Sequence, residues 1–340
     1  MYVGTQYFGT SKQEMEFLVR HGVYHFDGTV PDMEVDTLKK HREEAAQYGV
    51  ELEMVHVNIQ SYRQAVLGNE KERDRAIETF CGFIENAGKA GLRGLNYNWC
   101  VLNATDTGGF VQRTAPRPGR GGTQYSSFVL ADYDNERTYE ETGRVARDEV
   151  FARAEYFLER VVPVAEECKV QLAVHLNDPP SPILNGVEKW NWPVFAGLKR
   201  YNEICESPYH GFNFCCGVAA EGLEDPANEL PPIVEYFAER KKIFNIHFRN
   251  IRGGLNNFSE TWPDEGDVDM YELVKALHAA DYSYMLMPDH APRHPDDKAP
   301  EGVSGRVTQA WAFQFGYIIA LIQAAKKESA KKGYVSRVHN

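Results

Sequence analysis

The sequence predicts a single (β/α)₈ barrel (a TIM barrel), which is a mixed α/β fold, on three observations. The chain has 340 residues, 43% of them hydrophobic and 25% charged, so it can build a full core. Eight short apolar or β-branched runs recur along it, roughly one every 42 residues, as expected for a barrel of this kind with insertions. No glycine-rich dinucleotide fingerprint follows the first run, so a doubly wound open sheet is the weaker alternative.

Strand and helix signals alternate along the chain, which is typical of parallel-sheet folds. The predicted strands are Tyr2–Thr5, Val23–Phe26, Leu52–Val57, Leu92–Leu95, Val170–His175, Phe212–Cys215, Phe244–His247 and Tyr284–Met287. The predicted helices, which have polar and apolar residues at helical spacing, are Lys12–His21, Val35–Tyr48, Lys71–Ala90, Arg147–Cys168, Pro231–Lys241 and Met270–Ala280. The alternation predicts one barrel domain covering residues 1–340.

One segment departs from this alternation. Residues 100–136, after the fourth strand, are rich in glycine, arginine, proline and threonine, and Arg113, Arg117 and Arg120 share a stretch without acidic residues. Loops of this length in a compact domain are usually lids or binding segments, or else disordered. We expect an inserted loop or lid over the barrel mouth, and a basic C-terminal tail at residues 326–340.

Composition excludes several classes of partner. The net charge of −12 and the pI near 5.5 are a poor match to nucleic acid or to an anionic membrane surface. No apolar run approaches the roughly 20 residues of a membrane helix, and no secretory signal is visible. Six cysteines in so long a chain do not form a disulfide scaffold. We therefore expect a cytoplasmic protein that acts on a small molecule.

Four residues with metal-binding side chains fall at the ends of successive strands. His175, Cys215 and His247 end the fifth, sixth and seventh predicted strands, and Asp289 follows the eighth. Any one of them alone is more often a hydrogen-bonded or buried strand-end residue. In a barrel, however, these strand ends converge on the face where active sites form. The mixed nitrogen, sulfur and oxygen set predicts one borderline divalent ion, Mn²⁺, Fe²⁺, Zn²⁺ or Co²⁺.

The segments around these positions carry a chain of specific motifs. They are Asn96-Tyr-Asn-Trp99, His175-Leu-Asn-Asp-Pro-Pro180, Phe214-Cys-Cys-Gly217, Ile246-His-Phe-Arg-Asn250, Phe258-Ser-Glu260, Gly266-Asp-Val-Asp-Met270 and Met287-Pro-Asp-His290. Together they resemble the metal-dependent mannonate dehydratase family. The resemblance implies a xylose-isomerase-like barrel, usually a homo-oligomer, that binds Mn²⁺ or Fe²⁺. It also implies conversion of D-mannonate, a sugar acid, to 2-keto-3-deoxy-D-gluconate and water in hexuronate breakdown. The family's ligand set is similar to the four residues found above.

Further site residues follow from the same motifs. His290 resembles the histidine of the family's Pro-Asp-His motif and is the candidate catalytic base or acid. Arg249 lies two residues after a predicted ligand and is expected to clamp the substrate carboxylate, with an ion pair to Glu260, Asp267 or Asp269 as the alternative. Glu260, Asn98 and His294 are further candidates for substrate binding.

The sequence departs from the family pattern at one catalytic position. Val303 stands where a catalytic tyrosine is expected, so His290 or His294 is predicted to supply the proton instead. A sugar isomerase, epimerase or lyase of the same barrel superfamily, acting on another polyhydroxy substrate, is the first alternative. A non-catalytic carbohydrate-binding barrel is the second. Cys215 argues against a hard, carboxylate-rich isomerase site, and the intact ligand set argues against a binding protein.

Overall fold

Parallel strands form a barrel whose first strand is split into two pieces at Gly4. A computed structural model describes residues 1–105, 111–292 and 294–338, with the side chains described up to residue 330. In chain order, the barrel strands of this part of the protein are Tyr2–Val3 with Thr5–Phe8, His25–Gly28, Glu51–His56, Gly94–Asn98, Gln171–His175, His210–Cys215, Ile243–His247 and Met285–Met287. The predicted (β/α)₈ fold is confirmed, and each predicted strand overlaps or adjoins an observed one.

The split first strand closes the barrel. Tyr2–Val3 pairs in parallel with the eighth strand, and Thr5–Phe8 pairs with the second. Gly4 lies between the two pieces, and a Cβ atom there would lie 2.5 Å from the Met285 Sδ. Only glycine therefore allows this close approach of the first and last strands.

Helices cover the outside of the barrel. They are Lys12–Arg20, Val35–Ala46, Arg63–Leu67, Arg73–Ala90, Arg147–Cys168, Val194–Glu203, Cys216–Glu221, Pro226–Glu239, Met270–Ala279 and Gln309–Val338. All six predicted helices are present within a few residues of their predicted ends. Local signals set some of these ends: Ser11 and Glu14 form a capping box, and Asp269 accepts hydrogen bonds from the backbone N–H groups of Tyr271 and Glu272.

Buried aromatic residues fix the loops that follow the fourth and fifth strands. Trp99, directly after the fourth strand, packs on Phe157 with ring centroids 4.9 Å apart. Its carbonyl accepts hydrogen bonds from Asn177 Nδ2 at 2.9 Å and from Trp190 Nε1 at 2.8 Å. Because all four side chains are buried, the two loops are held rigidly at the C-terminal face of the barrel.

A small antiparallel sheet covers the same face. Ser127–Val129, from the predicted insertion, pairs with Asn257–Glu260, which in turn pairs with Ile251–Gly254 after the seventh strand. Residues 106–110 of the insertion and 339–340 of the predicted tail lie outside the described residues. Within the described part of the chain, no helix is long and apolar enough to cross a membrane.

Candidate active site

The four predicted metal ligands meet at the C-terminal end of the barrel. One ligand atom from each of His175, Cys215, His247 and Asp289 lies within 4.8 Å of the others. His175 Nε2 is 3.1 Å from His247 Nδ1, Cys215 Sγ is 3.6 Å from Asp289 Oδ2, and His247 Nδ1 is 3.5 Å from Asp289 Oδ1. Sheet register explains the convergence, because Cys215 pairs with His247 and His247 pairs with Met287 on the neighbouring strands.

These distances fit a common divalent ion. Atoms bound at about 2.0–2.3 Å from one ion lie roughly 3–4 Å from each other. Burial raises the pKa of the Cys215 thiol well above its usual value, and burial and His247 lower the pKa of His175 to about 3. Without a metal, the His175 imidazole is therefore neutral, which is the form that binds metals, and the Cys215 side chain is a protonated thiol. A bound cation would convert this thiol to a thiolate.

Neighbouring side chains orient these candidate ligands. Gln6 Nε2 donates to Asp289 Oδ1 at 2.7 Å, and Asn213 Nδ2 lies 3.1 Å from His247 Nε2. The backbone N–H of Val218 donates to the sulfur of Cys215 at 3.4 Å. Although burial opposes it, the nearby positive groups hold the pKa of Asp289 well below its usual range. Such outer contacts fix the direction in which each ligand atom points.

Arg249 does not lie where a substrate clamp must lie. Its side chain is 1% exposed, and its guanidinium donates to three carboxylates: Asp289 at 2.9 Å, Glu221 at 2.7 Å and Asp178 at 3.0 Å. The N–H groups of Arg249 that were expected to bind a substrate carboxylate are therefore already bonded to carboxylates of the protein. The structure favours the alternative from the sequence, an ion pair. Glu260, one of the partners that the sequence indicated, lies 3.7 Å from Arg249 Nη1, whereas Asp289, Glu221 and Asp178 are partners that it did not indicate.

Replacing Arg249 by methionine is expected to reduce the free energy of unfolding by about 3–5 kcal/mol, because buried carboxylates then lack a counter-charge. Urea denaturation measures this change. Arg252 is the matched control: it is exposed and donates to the carbonyl of Glu265, so Arg252→Met should stay within about 0.5 kcal/mol. Equal effects of the two substitutions would contradict the assigned network.

His290 is held by Glu260 beside the candidate ligands. His290 Nδ1 lies 2.9 Å from Glu260 Oε1, and His290 Nε2 lies 3.7 Å from Asp289 Oδ1. Although burial opposes it, Asp289 and Glu260 raise the pKa of His290 to about 9. Glu260 also pairs with Arg113 of the insertion, which in turn makes a two-pronged ion pair with Asp178 at 2.6 and 2.9 Å. Glu260 is therefore committed to positioning other side chains.

Two adjoining cavities open above this centre. An inner cavity of about 150 Å³ is lined by His175, His247 and Asn98, and an outer one of about 770 Å³ is lined by Arg113 and Glu260. Both share the lining residues Val111, Asp289, His290 and Arg306. Asn98 Nδ2 lies 3.0 Å from His56 Nε2. The predicted residues Asn98, Glu260 and His290 are thus brought together with the candidate ligands.

His294 is placed elsewhere. It lines a separate surface cavity with Arg120, Trp262 and Phe313, and its Nδ1 accepts a hydrogen bond from the backbone of Asp296 at 3.2 Å. The predicted role of His294 in substrate binding or proton supply therefore has no support in the geometry. Tyr7, Asp178 and Arg306 are among the cavity residues that were not predicted from the sequence. Asp178 belongs to the motif His175–Pro180, but the motif did not indicate a role for it, and Tyr7 and Arg306 lie outside the quoted motifs.

Comparison with known proteins gives one consistent family. A sequence profile described as D-mannonate dehydratase (UxuA) matches residues 130–332. The mannonate dehydratase of Shouchella clausii (strain KSM-K16) is 30% identical over 292 residues, which are 74% of this chain and 75% of that protein.

Solved structures show the same fold. The mannonate dehydratase of Streptococcus suis serotype 2 superposes with a TM-score of 0.81 at 23% identity, covering 97% of this chain and 96% of that one. A xylose isomerase domain protein from Planctomyces limnophilus superposes with a TM-score of 0.55 at 11% identity, over 97% and 98% of the two chains. By profile and by sequence identity, the chain belongs to the D-mannonate dehydratase (UxuA) family, a family of metal-dependent hydro-lyases.

Proposed function

We propose that this protein removes water from D-mannonate to give 2-keto-3-deoxy-D-gluconate, with one bound divalent ion. The observation that carries the proposal is the convergence of two imidazoles, a thiol and a carboxylate within 4.8 Å, three of which line the inner cavity. Membership of the D-mannonate dehydratase family supports the choice of substrate. In the overall reaction a proton leaves C2, hydroxide leaves C3, and the resulting enol becomes the 2-keto product.

The metal would be held by His175, Cys215, His247 and Asp289. When bound, a divalent ion supplies Lewis-acid stabilisation of the negative charge that develops on substrate oxygens. A thiolate beside two imidazoles and one carboxylate favours a borderline ion over Mg²⁺, and we propose Mn²⁺ or Fe²⁺, with Zn²⁺ and Co²⁺ as alternatives.

His290 is the proposed proton-transfer residue. Glu260 engages its Nδ1 and so leaves Nε2 to exchange a proton with the substrate. This imidazole lines both cavities, which places it beside the candidate metal site without making it a ligand. The arrangement of an oriented histidine next to a charged centre is the usual one for general acid–base chemistry.

Tyr7 is the proposed second donor to the substrate. Its φ of +59° lies in the left-handed region, and the pairing register with the second strand shifts at this point, as in a β-bulge. Bulges and strained backbone beside active sites often redirect a side chain, and Tyr7 lines the inner cavity. The loop that carries Val303 docks here, because Ser304 Oγ donates to the Tyr7 carbonyl at 3.1 Å. Tyr7 thus enters the cavity beside the loop that lacks the family tyrosine.

Tyr7→Phe is expected to lower kcat about 10²-fold, because burial raises the pKa of the Tyr7 hydroxyl and keeps it a donor that phenylalanine lacks. Steady-state kinetics with D-mannonate, together with metal analysis, test this. Tyr24→Phe is the control, since Tyr24 is 46% exposed. Unchanged kcat in Tyr7→Phe would remove the tyrosine from the mechanism.

The insertion is proposed to act as a lid. Arg113, Thr114, Pro116, Gln124 and Ser126 line the outer cavity, so the described part of this segment forms one of its walls. Its arginines are paired with residues after the fifth and seventh strands, as in Arg117 with Asn257 at 2.8 Å and Arg120 with Asp264 at 2.6 Å.

We further propose a homo-oligomer in the cytoplasm, a location supported by the absence of a disulfide in the described part of the chain.

The proposal is tested with chelator-stripped protein reconstituted separately with Mn²⁺, Fe²⁺, Zn²⁺, Co²⁺ and Mg²⁺. Each form is incubated with D-mannonate, D-gluconate and D-galactonate, and 2-keto-3-deoxy acid is measured. We expect product from D-mannonate with a borderline ion and little with Mg²⁺. An isomeric or epimeric sugar without keto-deoxy acid would indicate an isomerase or epimerase. Aldonate binding without turnover by the metal-loaded protein would indicate a carbohydrate-binding barrel.

A further inference from the structure

Of the two described arginines that line these cavities, Arg113 and Arg306, only Arg306 lacks a carboxylate partner. It lines both the inner and the outer cavity, together with Asp289 and His290. Among the residues that the structure describes, no ion pair within 4.0 Å involves its guanidinium, and its buried Nε has no hydrogen-bond partner. Aromatic rings flank it instead: the Arg306 Cζ lies 4.5 Å from the Tyr7 ring centroid and 5.3 Å from that of Trp311.

Two other described arginines near this centre are already paired with carboxylates. Arg113 pairs with Asp178 and Glu260, and Arg249 pairs with Asp178, Glu221, Glu260 and Asp289. Although burial opposes it, these carboxylates raise the pKa of Arg113 and of Arg249. Burial instead lowers the pKa of Arg306, because Tyr7 and the nearby charge of Asp289 offset the loss of solvent only in part. A desolvated cation without a paired anion is costly, so the site is suited to an anion from outside the protein.

We propose that Arg306 binds the carboxylate of the sugar acid. This rests on the proposed function for the substrate class, and it gives Arg306 the role that the sequence had suggested for Arg249. The guanidinium offers a planar fork that matches a carboxylate with two parallel hydrogen bonds. Packing against Tyr7 and Trp311 restricts its orientation, so less freedom is lost when the carboxylate binds.

The consequence is selectivity for sugar acids over neutral sugars. Among the described residues that line the outer cavity, the other positive groups are already paired: Arg113 with Asp178 and Glu260, and His290 with Glu260. Removing the charge of Arg306 should therefore remove most of the preference for a carboxylate, while hydroxyl contacts elsewhere in the cavity persist. A neutral polyol such as D-mannitol should bind about equally well before and after the substitution.

The test compares Arg306→Gln and Arg306→Lys with the unchanged protein and with Arg240→Gln, whose parent arginine is exposed and donates to the Tyr236 carbonyl. Each protein is checked for metal content and melting temperature. Kinetics with D-mannonate and calorimetric binding of D-gluconate, which we expect to bind without turnover, and of D-mannitol are then measured. We expect Arg306→Gln to raise KM and weaken D-gluconate binding about 100-fold with a smaller change in kcat, and Arg306→Lys to fall between.

The outcomes separate this proposal from the proposed function. Turnover of D-mannonate with unchanged KM and D-gluconate affinity in Arg306→Gln would overturn the role of Arg306 and leave the dehydratase intact. No turnover by the unchanged protein, but a loss of D-gluconate binding in Arg306→Gln, would overturn the dehydratase and support a carboxylate site at Arg306. If Arg306→Gln unfolds, Arg306→Lys decides, since an unchanged KM with the lysine would contradict the planar-fork contact.

Discussion

Replacing His247 by alanine is expected to abolish high-affinity metal binding and to lower kcat/KM at least about 10³-fold, or about 4 kcal/mol of transition-state stabilisation. His247 is central to the ligand group: its Nδ1 lies 3.1 Å from His175 Nε2 and 3.5 Å from Asp289 Oδ1. Without His247, the three remaining candidate ligands would leave one coordination position beside Asp289 without a protein ligand. Metal analysis after dialysis against chelator, followed by kinetics, measures both effects.

His210→Ala is the matched control for this substitution. His210 is a buried histidine at the start of the sixth barrel strand, and its Nδ1 lies 3.2 Å from the Cys205 carbonyl. Removing it should lower the free energy of unfolding but leave the metal content and kcat unchanged, because it lies at the opposite end of the strand from Cys215. Full metal occupancy in His247→Ala would show that this histidine is not a ligand.

The ligand group was predictable because strand ends carry information in this fold. A β-strand that runs from the bottom to the top of a barrel places its last residue at the active face, whatever the details of packing. His175, Cys215 and His247 each end an observed strand, so strand boundaries alone were enough to bring them together. The same logic predicted the barrel itself, because alternation of strand and helix survives errors of a few residues at each end.

The partners of charged side chains were not predictable in this way. The sequence places Arg249 two residues beyond His247, but its partners Glu221 and Asp178 come from the helix Cys216–Glu221 and from the loop after the fifth strand. The tertiary structure as a whole decides which arginine is left without a carboxylate partner. The local sequence pattern around an arginine does not indicate this. The sequence therefore did not determine the roles of Arg249 and His294, and it carried no local signal for Arg306.

One missed helix has a local physical explanation. The helix Val194–Glu203 contains Gly197, and glycine weakens the helical signal. Its Cβ, if present, would lie 2.2 Å from the Trp190 carbonyl. The helix can pack against the loop after the fifth strand only with glycine at position 197, and the same glycine weakens the helical pattern in the sequence. Tertiary contact outweighs local propensity here.

His290→Asn is expected to reduce kcat about 10³-fold or more while the metal stays bound. Asparagine keeps a polar side chain of similar reach towards Glu260 but cannot exchange a proton. The ligand set does not include His290, so metal content should match that of the unchanged protein. This pattern, an intact metal site with lost chemistry, differs from the one expected for His247→Ala, in which both are lost.

His294→Asn is the control that distinguishes the two histidines of this loop. Its parent residue lines a different cavity, with Arg120 and Trp262, so kcat and KM should be unchanged. Glu260→Gln then tests the orientation of His290: a neutral amide no longer fixes the imidazole, and we expect kcat to fall about 10–100-fold with D-mannonate still bound. If His294→Asn lost activity while His290→Asn kept it, proton transfer would have to pass through the outer loop rather than through the dyad of Glu260 and His290.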